Sequence, residues 1–197
     1  MENDNGLDVR RTTVHTRVEV LPKQEGRALI HPFDHHDFIA GHGSMGLEIL
    51  EDAPDTKAII AAVGGGGLIA GVGSAVKALR SDIKIIAAEP ETAAPFARSL
   101  AAGLPQDFPE WTASFVDGAG GRNVIPRMWE RMRPVTDAAI VVSLEQVRAA
   151  MRLMAEKARI IAEGAGALPL ASRSLSAARW SSNVSCRTRR SELKCWR

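Results

Sequence analysis

Four consecutive glycines, Gly64, Gly65, Gly66 and Gly67, are the residues whose type and spacing point most directly to chemistry. Backbone N–H groups with no side chains in the way can converge on one anion. The loop follows an apolar run at 58–63 and precedes 68–79, where apolar residues return at helical spacing. A helix N-terminus therefore adds its partial positive charge at the same place. A strand–helix turn needs one or two glycines, and four together point to a phosphate site. Gly65, Gly67 and Ala70 also satisfy G-x-G-x-x-A, and Glu89 closes the next apolar run, where a dinucleotide-binding fold places an acid for a ribose hydroxyl. No Gly-Lys-Ser/Thr follows the glycines, which excludes a Walker A loop. On the loop alone, an NAD(P)-binding oxidoreductase and another phosphate-binding protein both stay open.

Other candidate ligands are weaker. The five histidines, His15, His31, His35, His36 and His42, all lie in the first 42 residues. No spacing among them makes a helical ligand pair across Pro32, so solvated loop histidines and no metal site are expected. Cys186 and Cys195 form no CxxC, and neither a zinc site nor a disulfide framework follows.

The glycine loop needs a sheet to carry it. Residues 83–88 (IKIIAA) read as a second buried strand closed by Glu89-Pro90, so strand, loop, helix and strand make one βαβ unit. Such a unit favours a parallel sheet with a right-handed crossover. Residues 28–31 form a short apolar run stopped by Pro32, and 40–50 has helical spacing. A further apolar strand is predicted at 138–142. Ser143 and Gln146 then supply a capping box for a helix reaching about Ala162, with Val147, Met151, Met154, Ala158 and Ile161 on one side. Residues 105–121 read as loop. The expected architecture is α/β, in three layers, with a mostly parallel sheet of at least four strands.

The chain has 197 residues, 45% of them hydrophobic, enough to bury a real core. It shows no signal-peptide core and no run of eighteen apolar residues, so a soluble, cytoplasmic protein is expected. Residues 172–197 hold seven basic side chains and one acid, Glu192. That stretch carries +6 and the rest, given a total of +2, carries −4. The organisation read from this is an N-terminal extension at 1–25, an α/β domain at 26–171 and a basic Ser/Arg-rich tail at 172–197. The tail is read as a loosely packed terminus that binds no nucleic acid or membrane.

Several segments in order resemble the serine/threonine dehydratases, pyridoxal-phosphate enzymes of the tryptophan-synthase-β-like fold. They are His31-Pro32-Phe33-Asp34, Ala40-Gly41-His42-Gly43-Ser44-Met45-Gly46-Leu47-Glu48, the loop from Val63 to Gly71, Ala88-Glu89-Pro90, Asp117-Gly118 and Ala162-Glu163-Gly164-Ala165-Gly166-Ala167. The resemblance covers 25–170. It implies that Gly64, Gly65, Gly66, Gly67 and Leu68 hold the phosphate of pyridoxal 5'-phosphate through main-chain amides, and that Gly118 and Glu163 lie along the cofactor wall. It implies a hydroxy-amino acid as substrate and is compatible with a homo-oligomer. In that family a cation often sits beside the strand ending in Glu-Pro. Glu89 and the Ala93 carbonyl match, but Pro95 stands where an acid is expected, so no metal is predicted.

Two departures bear on activity. The family's lysine, which condenses with the cofactor aldehyde and takes the substrate α-proton, lies in a Ser-x-Lys-x-Arg-Gly context. None of Lys23, Lys57, Lys77, Lys84, Lys157 and Lys194 has that context. The family's closing Ser-Gly-Gly-Asn segment is replaced by the Arg/Ser-rich stretch, as a frameshift near codon 172 would produce. The expectation is an incomplete large domain with no catalytic residue of its own, unable alone to convert a hydroxy-amino acid to a 2-oxo acid and ammonia. Exposed strand edges would then lower its stability. A non-catalytic interaction fragment is the remaining alternative.

Overall fold

The computed structural model describes residues 31–180. Helix α1 (His36–Asp52) leads to β1 (Ala58–Ala62), then α2 (Gly67–Leu79), β2 (Lys84–Pro90) and α3 (Pro95–Ala102). After a loop come α4 (Pro126–Met132), β3 (Ala138–Val142), α5 (Leu144–Leu153), one π-helical turn (Met154–Ala158) and α6 (Gly164–Trp180). The strands form one parallel sheet in the order β1-β2-β3, with Ala58 beside Lys84 and Ile86 beside Ala138.

Continuous apolar strands mean a sheet covered on both faces, and two cores lie on opposite sides of this one. Ile59, Ala61, Val63, Ile85 and Ala87 face Ile69, Val72, Val76, Phe96, Met128 and Met132 of α2, α3 and α4. Ile60, Ala62, Ala88, Ile140 and Val142 face Val147, Ala150, Ala167 and Leu168 of α5 and α6. At the lower end of the sheet Asp137 accepts from Lys77 Nζ at 2.7 Å, Lys84 Nζ at 3.0 Å and the Ile85 amide at 2.8 Å. Burial pushes the Asp137 carboxyl up, but these three donors outweigh it and hold it below the usual carboxylate range.

Helix α1 lies against α2 at very short range because the contact is made by glycine. A Cβ on Gly71 would stand 2.2 Å from the Ile39 carbonyl oxygen, and one on Gly46 would stand 3.1 Å from that of Val72. Backbone cannot move aside as a side-chain tip can. Gly71→Ala is therefore expected to cost roughly 1–3 kcal/mol, as overpacking does, read as a lower midpoint in a urea melt with an unchanged slope.

The structure changes four expectations. Three strands, not four, are present among the described residues; of the expected strand at 28–31, His31 is not in a strand and the other three lie outside them. The helix after Ser143 ends at Leu153 rather than near Ala162. The π-helical turn closes on Arg159 in the left-handed region, at φ 61°, and Ile161 is 90% exposed in the connection to α6. The expected boundary between 171 and 172 falls inside α6, which continues to Trp180. Finally, His36 and His42 belong to α1 rather than to a loop, and His42 is half-buried against Phe38, with ring centroids 4.8 Å apart. Among the described residues no helix is long and apolar enough to cross a membrane.

Candidate functional site

A cavity of ≈ 540 Å³ opens at the upper end of β1. The loop leaves the strand there and turns into α2, with Gly66 as the helix N-cap at φ 92°, ψ −1°, a conformation that favours glycine. The two neighbouring glycines answer close contacts instead. A Cβ on Gly65 would lie 2.1 Å from Phe33 Cγ, and one on Gly67 would lie 3.0 Å from the Phe33 carbonyl oxygen. Phe33 is held over the loop by its neighbour Asp34, which accepts from Arg131 Nη1 at 2.7 Å and Arg127 Nη1 at 3.5 Å. His31 Nδ1 accepts from the Asp34 amide at 3.0 Å and tightens the same turn.

This packing leaves the loop's donors unused. Among the described residues no acceptor takes the amide N–H of Gly64, Gly65, Gly66, Gly67 or Leu68, although Ala70, one turn on, donates to the Gly66 carbonyl at 3.0 Å. Gly66 and Gly67 are buried. Buried backbone donors are nearly always paired, so a row of unpaired ones at a helix N-terminus describes a place for an anion.

All seven residues expected at the site line this one cavity: Gly64, Gly65, Gly66, Gly67, Leu68, Gly118 and Glu163. Gly118 is close to the loop, its carbonyl oxygen 3.2 Å from a Cβ on Gly64. Glu163 stands at the head of α6, where its carboxylate accepts from the Ala165 and Gly166 amides, each at 2.6 Å. It caps that helix while forming part of the wall. Phe33, His42 and Met132 were given no role by sequence reasoning. Phe33 did fall within the His-Pro-Phe-Asp segment, which was the available signal.

Glu89 corrects the dinucleotide alternative. It is fully buried, and its two oxygens accept from the Phe96 amide at 3.0 Å and the Ala97 amide at 2.7 Å, closing the N-terminus of α3. Burial raises its carboxyl to about 7, against the pull of those two hydrogen bonds. It does not reach the cavity and has no free oxygen for a ribose. Of the described lysines, Lys57, Lys77, Lys84 and Lys157, none lines the cavity. Among the described residues no group of three His, Cys, Asp or Glu side chains could hold a metal ion.

A family model described as pyridoxal-phosphate dependent enzyme matches residues 4–184. The chain belongs to the pyridoxal-phosphate dependent enzyme family. It is similar to the L-threonine ammonia-lyase of Thermotoga maritima, 33% identical over 77% of this chain and 37% of that protein. It is similar also to the L-threonine dehydratase catabolic TdcB of Staphylococcus aureus (strain N315), 36% identical over 78% of this chain and 44% of that protein. Among solved structures, a T.th. threonine deaminase superposes with a TM-score of 0.78 at 38% identity, covering 82% of this chain and 56% of that one. The serine racemase of Dictyostelium discoideum superposes with a TM-score of 0.73 at 35% identity, covering 82% and 51%. This member of the pyridoxal-phosphate family has the α/β fold of those neighbours and spans less than half the length of the two curated relatives. The residues in the cavity fit the cofactor's phosphate: five residues whose amides have no acceptor among the described residues line it side by side.

Proposed function

We propose that this chain is the phosphate-holding part of a pyridoxal-phosphate-dependent dehydratase of hydroxy-amino acids such as threonine or serine, and that alone it binds the cofactor without turning substrate over. The observation that carries this reading is the unpaired row of amides from Gly64 to Leu68. When bound, pyridoxal phosphate supplies an aldehyde that captures an amino acid's amine and a ring that withdraws electrons from its α-carbon.

The chain's own residues then have separable tasks. The amides of Gly64, Gly65, Gly66, Gly67 and Leu68 hold the phosphate, helped by the positive end of α2. Phe33, beside Asp34, which is bonded to Arg131, covers the loop from one side. Gly118 and Glu163 form the opposite wall, and Glu163 keeps the head of α6 in place. Among the described residues the cavity offers no lysine to capture the aldehyde or take the α-proton. Without that amine the binding is non-covalent and the elimination has no base.

Titration of the purified chain with pyridoxal phosphate tests both halves of the reading. Saturable binding, competed by inorganic phosphate, reversed by dialysis and leaving no adduct after borohydride, is the expected result. No 2-oxo acid should form from threonine or serine. Absence of binding would sink the phosphate site, and a borohydride-stable adduct on one lysine together with 2-oxo acid formation would sink the claim of inactivity.

A further inference from the structure

Helix α4 reaches the glycine loop through two neighbouring residues. Met132 is fully buried against Gly66, where an added Cβ would stand 2.1 Å from its sulfur. Arg131 acts at one remove: its Nη1 donates to Asp34 Oδ1 at 2.7 Å, and Asp34 follows Phe33, whose ring lies on Gly65. Arg127, one turn earlier in α4, approaches Asp34 Oδ2 at 3.5 Å. Neither arginine lines the cavity, so neither guanidinium is placed as a phosphate ligand.

The segment that covers the loop has little else to hold it. Residues 31–34 belong to no helix or strand. Within the segment, His31 Nδ1 accepts from the Phe33 amide at 3.4 Å and the Asp34 amide at 3.0 Å, and the His31 and Phe33 rings meet edge-on. Among the described residues, the hydrogen bonds and ion pairs that tie 31–34 to the rest of the fold are those from Arg131 and Arg127 to Asp34. The Asp34 and Arg131 side chains are 12% and 31% exposed, whereas that of Arg127 is 69% exposed. Solvent weakens the longer, more exposed contact, so Arg131 carries the tie. The loop in turn depends on what presses on it, because a run of glycines has no side chains of its own to lock its backbone. A loop ordered before its ligand arrives binds more tightly than one ordered by the ligand.

We infer that Asp34 and Arg131 are positioning residues for the phosphate: their ion pair keeps Phe33 packed on the glycine loop and so holds the amides of Gly64 to Leu68 in the arrangement that takes the anion. This rests on the phosphate site proposed above. Arg131 acts through Asp34 and Phe33, not through its charge on the ligand.

The affinity of the full, folded chain for pyridoxine 5'-phosphate, read from its loop amide shifts, tests the assignment, and Asp34→Asn gives the deciding sign. Were the arginines to act on the phosphate by charge, removing a carboxylate beside them would tighten binding. Acting through Phe33, they require it to weaken, by roughly 10-fold. Arg131→Gln should weaken it as much, the double variant no further than either single one, and Arg131→Lys should recover part of the loss. Arg127→Gln should cost less than about 2-fold. In the ligand-free chain, ¹⁵N order parameters at 64–68 should fall in Asp34→Asn and Arg131→Gln while those of β2 stay unchanged. Equal or tighter binding by Asp34→Asn, or loop order parameters unchanged in both variants, would overturn the assignment. So would a loss of stability with the affinity of the folded chain intact. Should Asp34→Asn fail to fold, Asp34→Glu decides, since it keeps the charge and moves it by one methylene: weaker binding supports positioning and unchanged binding overturns it. Absence of loop shifts in the unaltered chain would sink the phosphate site and this inference with it. Loop shifts there, with undiminished affinity in the variants, would sink this inference alone.

Discussion

Gly66→Ala is expected to lose about 2–5 kcal/mol of stability and most of the phosphate affinity. Two independent effects add. An L-residue at φ 92° in the N-cap position costs about 1–2 kcal/mol. The new Cβ would also stand 2.1 Å from Met132 Sδ, so the thioether must swing away from a fully buried place or the loop must shift. Methionine has the rotatable bonds to swing, which keeps this second part within the roughly 1–3 kcal/mol of ordinary overpacking. Urea melts of Gly66→Ala, Met132→Ala and the double variant separate the two parts. The double variant should recover the steric share and keep the conformational one, so the two single losses should sum to more than the double loss. Gly66→Asn, which tolerates the left-handed region better, should lose less than a β-branched residue there. If Gly66→Ala were neutral in stability and phosphate binding, the loop would not be shaped as described.

The second large effect is a pH dependence set by Glu89. Its carboxyl is raised to about 7 by burial, against an ordinary value of 4.5. The folded state thus holds a proton that the unfolded state releases between those values. Stability from this group is fully present below about pH 4.5 and is lost as pH rises to about 7. The shift corresponds to about 3 kcal/mol between those limits. Melts of the native chain should therefore show a decline from pH 5 to pH 8, and Glu89→Gln should flatten it while keeping one acceptor for the Phe96 and Ala97 amides. A decline of the same size in Glu89→Gln would assign it to another group. The dinucleotide reading placed this residue at a ribose; its burial at the head of α3 is why the residue reports on folding instead.

Parts of this arrangement are legible one segment at a time. The apolar runs at 58–63 and 138–142 read as strands, and they become β1 and β3, although Val141 of β3 is exposed. Ser143 and Gln146 pair reciprocally, with the Gln146 amide donating to Ser143 Oγ at 3.2 Å and the Ser143 amide to Gln146 Oε1 at 2.9 Å. Capping is set within four residues, so sequence suffices. The glycine loop was legible as a strand-to-helix turn with free amides, because amide density is a local property.

What escaped was set by distance along the chain. Nothing near Gly65 and Gly66 announces that Phe33 will press on the first and Met132 on the second. The same glycines therefore answer packing as well as the phosphate proposed for them, which no local pattern reveals. Glu89 ends a strand in either reading, and only the fold of Pro95 back onto it decides between a ribose and a helix cap. The apolar series through Ile161 suggested a longer helix because periodicity ignores what the next segment must do. The chain leaves the helix at Arg159 to bring Glu163 to the cavity, and Ile161 is left in solvent. His42 was expected in a loop with the other histidines although 40–50 has helical spacing; it lies in α1, where Gly43 and Gly46 let that helix approach α2.

The most direct measurement is an amide ¹H–¹⁵N titration of the full chain with pyridoxine 5'-phosphate, which carries the phosphate and lacks the aldehyde. Saturable shifts centred on the Gly64, Gly65, Gly66, Gly67 and Leu68 amides, weakened in Gly66→Ala, are the predicted result. Shifts centred elsewhere, or none, would contradict an anion site built from those five donors.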